Sequence, residues 1–434
     1  MLFRRKAGSS QKHTTPSARA HAAQLIRARL PVDLLEAGMR VVKLDRPWTE
    51  VPVMFQGFVI GDNRHVETLR HYCRWVLVEG EAHQIEAAQE RQARRQAKIN
   101  QAQVEKKPLS QVLPAAQRTY SRTQAFVDRT LAAIQRGQPP QLDEARPLIQ
   151  ACVKSIGANV NAMFWLTRIK SQDAYTAEHC LRVAVYAIAF ARFLDMPEQD
   201  LEVVGLCGLL HDIGKVKVRN EVLNKPGALT ESEMDEIRQH TELGYQLLQS
   251  HHSLEPIVAD VTRHHHERID GRGYPDQLAE WQISRFARVI AIVDAYDAIT
   301  SDRCYRQGLP AADALRILYR GRGEQFDAEM IEAFIRMMGI YPPGTLVELN
   351  TGEIGLVIAT HPGKKLKPRV EILLNHDKLP QIPYIIDLSN DPVDGDGHLY
   401  TIERPLPDGA HGVSLGRRIQ QIVTADHQGA VDPE

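Results

Sequence analysis

Seven side chains able to bind a metal punctuate a stretch of this chain that otherwise reads as packed helices: His179, His211-Asp212, His240, His265-His266 and Asp294. The residues around them run mostly to apolar, helical periodicity, so each donor would sit on a helix whose remaining faces are core. A buried polar group without a partner costs roughly 1 to 3 kcal/mol, and a buried unpaired carboxylate costs more. One such residue can be a satisfied core residue. Seven are better explained by a shared cation, and imidazole nitrogen with carboxylate oxygen suits iron, manganese, zinc or nickel.

Local signals sharpen the placement. His211 and Asp212, being adjacent, point about 100° apart on a helix and can converge on one site only near its end, which Gly214 supplies. Thr230 and Glu233 form a capping box that starts a helix and fixes the phase of His240. His179 lies one turn in from Thr176, an N-cap candidate. Asp294 belongs to SRFARVIAIVDAYDAITSD, apolar almost all round. A carboxylate there needs a cation or several donors, with pairing to Arg285 or Arg288 as the alternative.

A chain of 434 residues, 43% hydrophobic and 25% charged, is long for one core and predicts two or three domains. Lys plus Arg number 53 against 54 Asp plus Glu, which leaves no global field to steer a polyanion and gives no sign of nucleic-acid binding. Cys73, Cys152, Cys180, Cys207 and Cys304 show no CxxC pairing, as expected of reduced thiols. No apolar run approaches a membrane span and no secretory leader is evident, so a cytoplasmic location is expected.

The fold class read from the pattern is multidomain. Residues 1–23 form a disordered lead. Residues 24–80 form a small α+β domain whose Trp48, Phe55 and Phe58 read as core. Residues 81–140 read as a charged helical linker, whose polar faces suit a monomer as well as a route to a homodimer. Residues 141–340 form a central all-α domain, with helices expected over 143–169, 177–195, 198–212, 231–250, 254–267, 284–302, 311–320 and 327–338. Residues 341–404 alternate like strands and form a β-rich module, and residues 405–434 form an irregular tail.

HDIGK at 211–215, KPGALT, HHERIDGRGYP at 265–275 and SDRCYR at 301–306 together resemble the HD-GYP group of phosphohydrolases, over roughly residues 150 to 340. RLPVDLLEAGMRVVKLDRPW and VPVMFQGFVI resemble a domain of unknown function that often precedes it in bacterial proteins. The resemblance implies an HD-type helical domain and two divalent ions, iron or manganese foremost. His179, His211, Asp212 and Asp294 would hold one ion, and Asp212, His240, His265 and His266 the other, with Asp212 bridging. Some relatives use a glutamate one turn before the first histidine for a third ion; Tyr175 stands there, so two are expected. Asp212 and Lys215 would serve catalysis. Lys215, Tyr274, Arg303 and Arg306 would contact substrate, and Asp173, Glu267 and Asp297 would support the ligands from outside, with Glu267 satisfying its own loop as the lesser alternative. His264 reads as a bystander or as a further support behind the ligands. Cys304 and Arg219 stand where relatives often carry proline.

Two cations about 3.5 to 4 Å apart can trap a hydroxide at neutral pH and stabilise the entering and leaving oxygens of an in-line displacement at phosphorus. The resemblance therefore implies a phosphodiesterase acting on cyclic di-GMP to give linear pGpG, then GMP on a second round, with protein partners from cyclic di-GMP signalling. A hybrid cyclic dinucleotide stays open. The alternatives are a catalytically weak receptor for the same ligand and an HD-type hydrolase of another nucleotide.

Overall fold

The computed structural model describes residues 25–48, 51, 57–73, 75–91, 107–169, 175–225, 227–249, 251–302, 308–361 and 363–429. The chain divides into two compact units, Met1–Arg94 and Arg95–Glu434.

The first unit is α+β. Strands β1 (Leu25–Pro31), β2 (Arg40–Leu44) and β3 (Trp75–Glu81) form an antiparallel sheet in the order β1-β3-β2, with helix α1 (Asn63–Tyr72) between β2 and β3. Alternation in β3 buries Val76 and Val78 against Leu30, Val41 and Leu69. Trp48 and Phe58 pack on this core edge to face, as expected; Phe55 lies outside the described residues.

The second unit is built on helices α2 (Leu109–Gln135), α3 (Ala145–Ala158), α4 (Val160–Thr167), α5 (Tyr175–Phe193), α6 (Glu198–Leu210), α7 (Glu231–Arg238), α8 (His240–Leu248), α9 (Pro256–His264), α10 (Arg285–Thr300), α11 (Ala311–Arg320) and α12 (Ala328–Met338). A five-stranded antiparallel sheet follows, formed by β4 (Leu346–Leu349), β5 (Ile354–Ala359), β6 (Arg369–Leu374), β7 (Pro380–Asp387) and β8 (Ile402–Leu406) in the order β7-β6-β5-β4-β8. The buried indole of Trp165 on α4 donates to Val357 O at 3.0 Å and ties the helices to the sheet. Cys73, Cys152, Cys180 and Cys207 are buried free thiols. Among the described residues no helix is long and apolar enough to cross a membrane.

Four expectations are corrected. The linker does not run to residue 140: Leu109, Val112, Leu113, Ala116, Tyr120, Val127 and Ile134 form an apolar stripe on α2 that packs into the same core as α5 and α6. The single helix over 143–169 breaks at Asn159, whose extended backbone ends α3 while its side chain caps α4 at Asn161 N. The helix over 231–250 breaks at Gln239, where the side chains of His240 and Thr241 bond to the carbonyls of Ile237 and Arg238. The tail is not irregular, since β8 closes the sheet edge and helix α13 (Leu415–Gly429) buries Leu415 and Ile419 in the helical core.

The burial of α13 predicts that Ile419→Ala costs about 2 to 5 kcal/mol of stability, seen as a lowered melting temperature. An unchanged transition would mean that α13 is not part of the folded body.

Candidate metal centre

Small residues let the donor-bearing elements approach. A Cβ on Gly208 of α6 would lie 2.7 Å from Ala184 Cα, so glycine there allows α5 and α6 close contact near His179 and His211. Gly214 sits in the 3-10 turn Ile213–Lys217, where a Cβ would fall on the carbonyl oxygen of His240 and 2.6 Å from Gly244 N. A Cβ on Gly244 would in turn meet Thr262 Cγ2 at 2.6 Å on α9. Gly214 does more than end a helix: it seats the turn after Asp212 on the start of α8, and Gly244 seats α8 on the helix that delivers His265.

Asp212 is the hub, 1% exposed, with its two oxygens facing different donors. Oδ2 lies 3.3 Å from His179 Nε2 and 3.3 Å from His211 Nε2. Oδ1 lies 3.4 Å from His240 Nε2 and 3.7 Å from His265 Nε2. Asp294 Oδ1, from α10, stands 3.2 Å from His179 Nε2. The seven expected donors thus fall into two groups whose atoms lie within 4.8 Å of one another, His179-His211-Asp294 and Asp212-His240-His265-His266.

The rings are aimed from behind. His211 Nδ1 is held by Gly208 O at 2.8 Å, His240 Nδ1 by Ile237 O at 2.6 Å and His265 Nδ1 by Thr262 O at 2.9 Å. Each of these Nε2 atoms is left to point at Asp212. His179 differs in that its Nδ1 meets the carboxylate of Asp297 at 2.8 Å.

Burial dominates the electrostatics of the second group. It lowers His240 to about 4 and His266 to about 3, and takes His265 well below its ordinary value. These imidazoles are neutral and offer lone pairs. Burial would also lower His179, but hydrogen bonds to Asp212, Asp294 and Asp297 push it well up. Burial opposes the charge on Asp212, yet His211 and Lys215 hold its carboxyl well below the usual range. Asp294 is likewise lowered, its burial outweighed by His179.

Among the described residues, His211 Nε2 and Asp212 Oδ1 are buried without a hydrogen-bond partner. With His211 Nδ1 held by a carbonyl, its Nε2 and the Asp212 oxygen are both electron-pair donors, and two such orphaned atoms facing a cluster of further donors fit divalent cations.

Other expected residues divide. Lys215 Nζ stands on Asp212 Oδ2, inside the site. Tyr274 lies with its ring 4.8 Å from that of His266, and the Arg238 guanidinium is 5.7 Å from the Tyr274 ring. Asp297 meets His179 Nδ1. Glu267 does not orient a ligand ring: its oxygens accept from the backbone N–H groups of Asp276 and Leu278 at 2.7 and 3.0 Å, so it fixes the loop that carries Tyr274. His264 faces Asp260 and Asp276, outside the donor set. Arg219 donates its backbone N–H to Glu236 at 3.1 Å, a bond that proline could not make. Asp173, Arg303, Cys304 and Arg306 lie outside the described residues.

Sequence reasoning missed Arg182, which binds Asp297 through two nitrogens. Its signal was an arginine three residues after His179 in an almost wholly apolar helix.

Comparison with known proteins agrees with this architecture. An HD domain model matches residues 163–330, a domain of unknown function, DUF3391, matches 27–145, and a KOW domain associated with the HD domain matches 346–393. A cyclic di-GMP phosphodiesterase of Pseudomonas aeruginosa is 36% identical over 370 residues, covering 83% of this chain and 88% of that protein. A cyclic di-GMP phosphodiesterase response regulator of Xanthomonas campestris is 36% identical over 39% of this chain and 45% of its own. A 3'3'-cGAMP-specific phosphodiesterase of Vibrio cholerae is 35% identical over 40% of this chain and 38% of its own.

The contact at Gly214 predicts that Gly214→Ala destabilises the metal-free protein by about 1 to 3 kcal/mol through overpacking against α8. Thermal unfolding would show it, and an unchanged melting temperature would contradict the close approach.

Proposed function

We propose, for a chain that belongs to the HD-GYP family of phosphodiesterases, that it hydrolyses cyclic di-GMP to linear pGpG, and pGpG to GMP on a second round, using two divalent ions, iron or manganese. The observation that carries this reading is the placement of Asp212 between two sets of donors, one to each oxygen. His179, His211, Asp212 and Asp294 would hold one ion and Asp212, His240, His265 and His266 the other. Ions held there would supply Lewis acidity at the phosphate oxygens and raise the acidity of water.

The chain's own groups do the rest. His266 and Asp294 are the half-buried members of the donor set, so a phosphodiester enters on their side. Tyr274, beside His266, offers a ring for a guanine to stack on. Lys215 places a positive charge next to Asp212, where it would offset charge gathering on the reacting phosphate. Arg303 and Arg306 would clamp the second phosphate, and Asp173 would support the site from outside. The protein would act within cyclic di-GMP signalling in the cytoplasm, together with protein partners there.

One observation favours a second substrate: the Vibrio cholerae relative named for 3'3'-cGAMP is nearly as similar, over a similar share of this chain, as the one from Xanthomonas campestris. The same centre would open a phosphodiester in either ring.

Metal-stripped full-length protein, reconstituted with iron or manganese, is expected to convert cyclic di-GMP to linear product faster than 3'3'-cGAMP. Asp212→Asn is expected to lose roughly 100- to 1000-fold in rate, corresponding to several kcal/mol of lost charge stabilisation. Binding of intact cyclic di-GMP with no cleavage under either metal would favour a receptor instead.

A further inference from the structure

Arg182 stands on α5 one turn after His179 and is 5% exposed. Burying a guanidinium costs several kcal/mol unless its donors are met, and here they are. Nε and Nη2 reach the two oxygens of Asp297 at 2.7 and 3.0 Å. Nη2 also reaches Ser301 Oγ at 3.0 Å, and Nη1 reaches Glu178 Oε2 at 3.2 Å. Ser301 Oγ donates to Asp297 Oδ2 at 3.2 Å. Thus α5 and the end of α10 are joined by a fork of hydrogen bonds that fixes the plane of the Asp297 carboxylate. That carboxylate then faces His179 Nδ1 at 2.8 Å.

We propose that Arg182 is a positioning residue for His179. Acting through Asp297, it sets the ring plane and keeps a proton on Nδ1, so that Nε2, between Asp212 and Asp294, is the nitrogen that gives up its proton to an ion. The inference rests on the reading that His179, His211 and Asp294 hold an ion.

The geometry carries an internal control. His211, His240 and His265 are aimed by backbone carbonyls three residues earlier in the chain, which no side-chain change removes. The ring of His179 is aimed by a side chain, and that side chain is held by Arg182. Losing the guanidinium should therefore weaken the ion beside His179 and spare the ion beside His240 and His265. Lysine in its place keeps a charge but lacks the planar fork that takes both oxygens of Asp297, so it should restore only part of the effect.

The test is titration of the metal-stripped full chain with Co2+, read by its visible absorption and by competition with a chromophoric chelator. The wild-type protein should show two binding phases. In Arg182→Gln one phase should weaken by roughly 10- to 100-fold with an altered spectrum, the other should hold, and Arg182→Lys should fall between. Two wild-type phases in Arg182→Gln, or equal weakening of both, would overturn the proposal. Should the glutamine variant fail to fold, Arg182→Lys decides alone, and wild-type affinity in both of its phases overturns it. Wild-type protein that takes up no Co2+ would instead overturn the metal reading beneath it.

Discussion

A carboxylate buried to 1% exposure with an orphaned oxygen is a state that a fold must support, and Asp212 sets the terms for the helices around it. Its charge is opposed by burial and sustained by His211 and Lys215. Four elements far apart in sequence must deliver imidazoles to its two sides, and they can do so only where their backbones touch. The contacts at Gly208, Gly214 and Gly244 are that requirement expressed in packing. The apolar faces of the same helices supply the stability that so concentrated a set of polar groups does not.

The residues gathered around Asp212 were legible because each breaks an apolar helical pattern or sits at a helix end, features that need no tertiary knowledge. The ending of α6 before His211-Asp212 and the capping box at Thr230 follow from local chemistry and are present in the structure. The breaks at Asn159 and Gln239 were not legible, because side chains there compete for backbone groups in ways that periodicity does not register. Helix α13 was hidden for another reason: its few apolar positions matter only once the surface of the helical body exists to receive Leu415 and Ile419. Glu267 shows the same limit at the site, since a carboxylate next to two histidines reads as their partner until the loop N–H groups of Asp276 and Leu278 are seen to claim it.

The boundary between domains follows similar logic. A charged stretch gives way at Leu109 to a helix with a continuous apolar stripe, and that helix belongs to the helical core. The DUF3391 match extends through it to residue 145. Helix α2 is therefore part of the body that holds the donors, and the sheet joined through Trp165 is part of that body too.

Anomalous diffraction from crystals of manganese-loaded protein, with data on both sides of the manganese edge, would examine the arrangement around Asp212 most directly. Two peaks are expected, one on each side of its carboxylate: one among His179, His211 and Asp294, the other among His240, His265 and His266. A single peak, or peaks away from Asp212, would contradict the account of a carboxylate shared between two ions.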